Sequence, residues 1–194
     1  MTSPRLRIIV ADDESDMREF LEEALARLGH TVAAACTSGR ELLETARRLE
    51  PDCVITDVKM PDMDGLEAAR EIYRERPLPI IIVSAHCDPA FLQRAEESHV
   101  FAYLVKPIRE SNLAPTLHIA LSRFAEFRAL ENEAQSLRQA LDDRKLIERA
   151  KGLLMKQGGL NEEDAFRKLQ RLASKNNLKL VELARTLLDA AGML

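Results

Sequence analysis

The chain has 194 residues, of which 46% are hydrophobic and 31% charged, and its formal net charge is −4. That length suits one ordinary domain plus a small one, with the composition of a soluble globular protein. There is no 18-residue apolar run and no signal-peptide pattern at Met1-Thr2-Ser3-Pro4, so a cytoplasmic protein without a membrane span is expected. Cys36, Cys53 and Cys87 are too few and too far apart for a disulfide scaffold or a zinc cluster, and predict buried, reduced thiols. Charge is divided unevenly. Residues 1–117 carry 14 Lys/Arg against 21 Asp/Glu, and residues 118–194 carry 14 against 11. An acidic first part and a mildly basic second part imply two domains with different partners, and the basic excess permits nucleic acid without requiring it.

In chain order, Leu6–Ala11 reads as a short buried strand ending at Asp12-Asp13-Glu14. Ser15 or Asp16 is placed to cap a helix whose apolar positions (Met17, Phe20, Leu21, Ala24, Leu25, Leu28) recur at helical spacing before Gly29. Thr31–Ala35 is a second strand, Gly39–Leu49 an amphipathic helix, and Cys53–Val58 a third strand. The Asp62–Gly65 turn leads into a helix through Leu66, Ala69 and Ile72. Ile80–Val83 is the continuous apolar run of a central parallel strand. A helix near Pro89–Glu97 and a strand at Val100–Val105 complete five alternations, which predict a doubly wound five-stranded parallel sheet.

The ends of the predicted strands form a set: Asp12, Asp13 and Asp57 are carboxylates, Ser84 a hydroxyl, and Lys106 an ammonium. Ligands of such sheets bind beyond the carboxyl ends of the strands, where residues distant in sequence converge. Clustered carboxylates repel one another, and a hard divalent cation such as Mg²⁺ relieves that repulsion with oxygen ligands. Lys106 can offset charge on an incoming phosphoryl group, Ser84 can donate to it, and Asp57 can act as the nucleophile. Each residue taken singly could be a helix cap or a solvated charge; together they favour a phosphoryl site.

Residues 5–117 resemble the receiver domain of bacterial two-component response regulators. The resemblance lies in Asp12-Asp13, the Asp57–Gly65 stretch ending Met60-Pro61-Asp62-Met63-Asp64-Gly65, Ser84-Ala85 and Lys106-Pro107. It implies a flavodoxin-like fold and phosphotransfer from a sensor histidine kinase to Asp57. It also implies Mg²⁺ held by Asp13, Asp57 and the Lys59 backbone carbonyl, with Asp12 acting largely through water. Ser84 would contact the phosphoryl group, Lys106 would pair with it, and Lys106–Pro107 would be a cis peptide. Tyr103 falls at the family's aromatic switch position; by periodicity it is equally a half-buried strand residue. His86 reads as a polar loop histidine that tunes access to the site.

After Asn112 the pattern becomes one long amphipathic helix. Leu113, Leu117, Ala120, Phe124 and Phe127, then Leu130, Ala134, Leu137 and Leu141, form an imperfect heptad seam without Gly or Pro from Thr116 to Lys151. The seam predicts either a dimeric coiled coil or packing back onto the same chain. The helix stops at Gly158-Gly159, Asn161 caps a short helix, and a last helix follows Asn176-Asn177, giving a small three-helix domain. The segments are 1–117, a linker over 118–143, and 144–194. Phe166 is assigned to the core, leaving no aromatic for a stacking platform. Gly152, costly inside a helix, indicates close packing of another helix or close approach of a nucleic-acid backbone.

Residues 130–190 resemble the ANTAR domain, a transcription-antitermination RNA-binding module, through Ile147–Met155, Ala165-Phe166, Leu169 and Val181-Glu182-Leu183-Ala184. The resemblance implies binding of RNA stem-loops, tandem hairpins in nascent transcripts, by a homodimer formed on phosphorylation. Arg144, Ala150, Lys151, Gly152 and Lys156 match the RNA-facing region, and Arg149 belongs to the same basic surface. The chain is expected to be a phosphoacceptor rather than an enzyme. A DNA-binding regulator and a protein-binding adaptor are the alternatives.

Overall fold

The computed structural model describes residues 5–85 and 98–192. His86, Cys87 and the helix expected at Pro89–Glu97 lie outside the described residues. Five strands, β1 (Arg7–Ala11), β2 (Thr31–Cys36), β3 (Cys53–Asp57), β4 (Ile80–Ser84) and β5 (Ala102–Val105), form one parallel sheet in the order β2-β1-β3-β4-β5. Among the described residues, helices α1 (Ser15–Arg27), α2 (Gly39–Leu49) and α3 (Gly65–Glu75) form the crossovers that join β1 to β2, β2 to β3 and β3 to β4. Burial follows sheet position. Every residue of β3 and β4 is buried, whereas edge strands β2 and β5 are mostly half-exposed. Cys36 and Cys53 are buried free thiols, and burial pushes the Cys53 thiol up to about 12.

Local chemistry sets the helix starts. Asp64 accepts the Glu67 backbone N–H at 2.7 Å to cap α3, and Ser38 accepts that of Glu41 at 3.2 Å to cap α2. The N-terminus of α1 differs from the expectation: its N-cap residue is Glu14, which makes no side-chain cap bond, and Ser15 and Asp16 lie inside the helix. The Asp12 carboxylate takes the Glu14 N–H instead, at 3.0 Å.

Helix α4 runs from Glu110 to Gly158, with Pro115 within its early turns. Leu113, Leu117 and Ala120 are buried in the first core, and Phe124 and Phe127 pack against it. Phe101 meets Phe124 edge-on with ring centroids 5.2 Å apart, and Tyr73 stacks on His99 at 4.1 Å. The first compact unit therefore extends past the predicted boundary at 117 to Arg128. The second unit, from Ala129, has its own core of Ala150, Leu154, Ala165, Leu169, Ala173, Leu183, Ala184 and Leu188. That core joins the end of α4 to α5 (Glu162–Lys175) and α6 (Leu180–Ala190). Asn161 caps α5 by accepting the Asp164 N–H at 2.9 Å. Between the two cores the seam is bare: Leu130 and Leu137 are each 60% exposed and Leu141 58%. No helix among the described residues is long and apolar enough to cross a membrane.

Candidate phosphoacceptor site and basic helix face

Because all five strands are parallel, their carboxyl ends share one edge of the sheet. Asp57 is the last residue of β3 and Ser84 the last of β4; Asp12 directly follows β1 and Lys106 follows β5. Carboxylate oxygens of Asp12, Asp13 and Asp57 all lie within 4.8 Å of one another. The Lys106 ammonium is 3.0 Å from Asp12 Oδ2, 3.1 Å from Asp57 Oδ2 and 3.7 Å from Glu14 Oε1. A cis Lys106–Pro107 peptide and a 2.9 Å bond from the Lys106 N–H to the Ser84 carbonyl set the course of the chain there. Asp57 Oδ1 accepts the Val58 N–H at 2.8 Å.

Burial pushes the Asp57 carboxyl up, and the Asp12 charge adds to this, against the opposing hydrogen bond from Lys106. Burial alone would lower the Lys106 ammonium, but its hydrogen bonds to Asp12 and Asp57 outweigh this and hold it up. Among the described residues, Lys106 bridges two of the three clustered carboxylates, Asp12 and Asp57, which leaves an oxygen-only donor set with charge to spare. That chemistry fits a hard divalent cation such as Mg²⁺. Two further residues at the site lie outside the predicted set. Arg18 Nη1 donates to the backbone carbonyls of Asp12 at 2.7 Å and Asp13 at 3.1 Å, tying down the acid-bearing loop. Glu14 adds a fourth carboxylate near Lys106. Their only sequence signal is position: Glu14 follows the acid pair, and Arg18 lies one helical turn beyond it.

Gly65 explains how α3 lies so close to the site. A Cβ there would collide with the Asp57 backbone carbonyl, and the Gly65 N–H bonds to the Val58 carbonyl at 2.8 Å. Tyr103 is not gathered into the pocket, being 49% exposed on β5. Ser84 is buried. Lys59, whose carbonyl was expected to face the metal, follows β3 in the loop with an exposed side chain.

In the second unit the predicted RNA contacts separate. Arg149, Gly152 and Lys156 follow at steps of 3 and 4 and share one face of α4; Lys145, not among the predicted contacts, lies one turn earlier on the same face, and the three basic residues are exposed. Arg144 is exposed as well. Ala150 differs from the expectation of an RNA-facing residue: it is wholly buried in the second core, where its methyl packs against neighbouring helices. Lys151 is also withdrawn. It is only 8% exposed, and its ammonium lies between Glu162, at 2.8 Å, and Glu148. The hydrogen bond to Glu148, then that to Glu162, raises its pKa. Close helix packing does not account for Gly152, since a Cβ added there would meet nothing within 4 Å. Phe166 is not a core residue either; it is 37% exposed.

Fold and site together define a signal-receiving domain followed by a helical output unit. The family model for the response regulator receiver domain matches residues 8–118, and that for the ANTAR domain matches residues 135–188. The transcriptional regulatory protein PdtaR of Mycobacterium tuberculosis is 40% identical over 186 residues, covering 96% of this chain and 91% of that protein. The chemotaxis protein CheY of Thermotoga maritima is 34% identical over 113 residues, 58% of this chain and 94% of its own. Among solved structures, chemotaxis protein CheY4 of Vibrio cholerae matches with 27% identity and a TM-score of 0.57, over 61% of this chain and all of its own. The chain belongs to the response regulators that carry a receiver domain followed by an ANTAR domain. Control by phosphorylation comes with that family.

Proposed function

We propose that Asp57 is the phosphoacceptor and that the ANTAR unit binds RNA stem-loops in nascent transcripts, preventing termination as a homodimer. The phosphoryl donor is a sensor histidine kinase. An Asp57 carboxylate oxygen forms the new P–O bond, the P–N bond of the phosphohistidine breaks, and the imidazole leaves with the bonding pair. Lys106 offsets the charge brought by the phosphoryl oxygens, and the Ser84 hydroxyl donates to one of them. Asp12, Asp13 and Asp57, with the Lys59 carbonyl, would hold Mg²⁺, which supplies charge neutralisation on the transferring group. Arg18 holds the loop bearing Asp12 and Asp13. The chain acts as a phosphoacceptor in the cytoplasm, with at most slow self-dephosphorylation, rather than as an enzyme on a separate substrate.

The observation that carries the RNA reading is the open glycine in a basic helix face. Gly152 costs about 1 kcal/mol relative to alanine in a helix, and no internal packing compensates for it. A backbone approaching from outside does, with Lys145, Arg149 and Lys156 around it to meet phosphates. The bare seam of Leu130, Leu137 and Leu141 supports pairing of two chains, and two linked output units gain effective concentration on tandem hairpins. The relative's role as a transcriptional regulatory protein supports an output at transcription.

The test is the Gly152→Ala variant. It should be more stable by up to about 1 kcal/mol in urea unfolding, yet bind hairpin RNA more weakly. Retained hairpin affinity, or tighter binding to duplex DNA than to hairpins by the wild-type chain, would sink the reading.

A further inference from the structure

Phe166, Glu148, Lys151, Glu162 and Glu163 line a concavity of about 440 Å³ between the end of α4 and the start of α5. Its chemistry differs from that of the Gly152 face. The Lys151 ammonium is already claimed by Glu148 and Glu162, and Glu163 adds a third carboxylate, itself paired with Arg167. A phosphate entering here would meet net negative charge. Phe166 meanwhile is a 37% exposed aromatic ring on a helix whose core-facing residues, Ala165, Leu169 and Ala173, are buried.

We infer that this concavity is a pocket for one unstacked nucleobase of an RNA loop; the inference rests on the RNA-binding reading above. The base would stack on Phe166. Its Watson–Crick edge would meet an ammonium donor beside carboxylate acceptors, and the Watson–Crick edge of every nucleobase carries an acceptor next to a donor. Glu148 lies between Gly152 and Lys151 around the helix, so the pocket adjoins the Gly152 face. The sugar–phosphate chain runs over Lys145, Arg149, Gly152 and Lys156, while one base turns aside into the acidic, aromatic pocket. Lys151 and the glutamates thus serve specificity, and the exposed basic residues serve affinity.

The test uses the full-length chain, with and without acetyl phosphate treatment, and RNA hairpins with randomised loops. Hairpins retained by the wild-type chain are rebuilt with an abasic residue at each loop position in turn. One abasic position should weaken binding roughly 5- to 150-fold, the range of single base–aromatic stacks. Phe166→Ala should cost a similar factor on intact RNA and nothing further on that abasic RNA, and Phe166→Trp should restore binding. Lys156→Glu should weaken intact and abasic RNA alike. Hairpin binding unaffected by Phe166→Ala, or by every abasic substitution, would overturn the pocket and leave the RNA-binding reading standing. No retained hairpin at all would overturn both. Competition by N-acetyl-arginine amide, with no response to abasic RNA, would make the pocket a site for a protein cation and overturn the inference.

Discussion

Among the described residues, Lys106 is the one ammonium within the acid pocket, touching Asp12 and Asp57 with only 15% of its side chain exposed. Removing one partner of such a buried arrangement leaves the other charges uncompensated. Lys106→Met should therefore destabilise the protein by about 2 kcal/mol or more in urea unfolding without divalent cations, and millimolar Mg²⁺ should recover part of the loss. No recovery would place the cation elsewhere. Gly65 shows a steric limit at the same site. With no room for a Cβ beside the Asp57 carbonyl, Gly65→Ala should cost about 1–3 kcal/mol and slow phosphorylation of Asp57 by acetyl phosphate, followed by intact-protein mass. The acid cluster was legible in the sequence because strand order alone brings strand ends together. The clasp on Lys151 was only half legible: Glu148 lies three residues earlier on the same helix, but Glu162 belongs to α5 and only packing brings it to the ammonium.

Helix termini carry further testable detail. At the start of α2, the Glu41 carboxylate accepts from the Thr37 backbone N–H at 2.7 Å and from its hydroxyl at 2.9 Å. The Thr37 backbone N–H, then its hydroxyl, holds this carboxyl below its usual range. A lowered folded-state pKa stabilises above the unfolded value, and that contribution is lost as pH falls through the folded one. Glu41→Gln should thus be less stable than wild type at neutral pH, by about 1 kcal/mol or less. The gap should close as both are titrated below the carboxylate range, as read by thermal unfolding. In α4, heptad periodicity revealed the seam, but not where the receiver stops covering it. That limit is set by Phe101 and Tyr73, which hold Phe124 and Phe127. Beyond them, Leu137→Lys should leave the unfolding free energy of the monomer nearly unchanged while abolishing dimers in sedimentation of the phosphorylated chain.

At the scale of the whole molecule, two hydrophobic cores share no residue, and the exposed stretch of α4 after Arg128 separates them along the chain. Among the described residues the second core has eight buried members, which is little for an independent helical unit. Calorimetry should show two transitions, and Mg²⁺ should raise only the one belonging to the receiver, by mass action on its folded state. A single transition shifted as a whole by Mg²⁺ would mean that the two units unfold as one.

Sequence alone determined the alternation of strands and helices, the convergence of Asp12, Asp13, Asp57, Ser84 and Lys106 at one sheet edge, and the order of the two domains. Periodicity and strand polarity are local properties, and in a parallel sheet they dictate which ends meet. Tertiary structure decided what depends on contacts between elements. It withdrew Ala150 into a core, clasped Lys151 between two glutamates, left the space beside the Gly152 Cα open and left Phe166 partly exposed. Helical spacing assigns a residue to a face, but only the packed neighbours determine whether that face is covered.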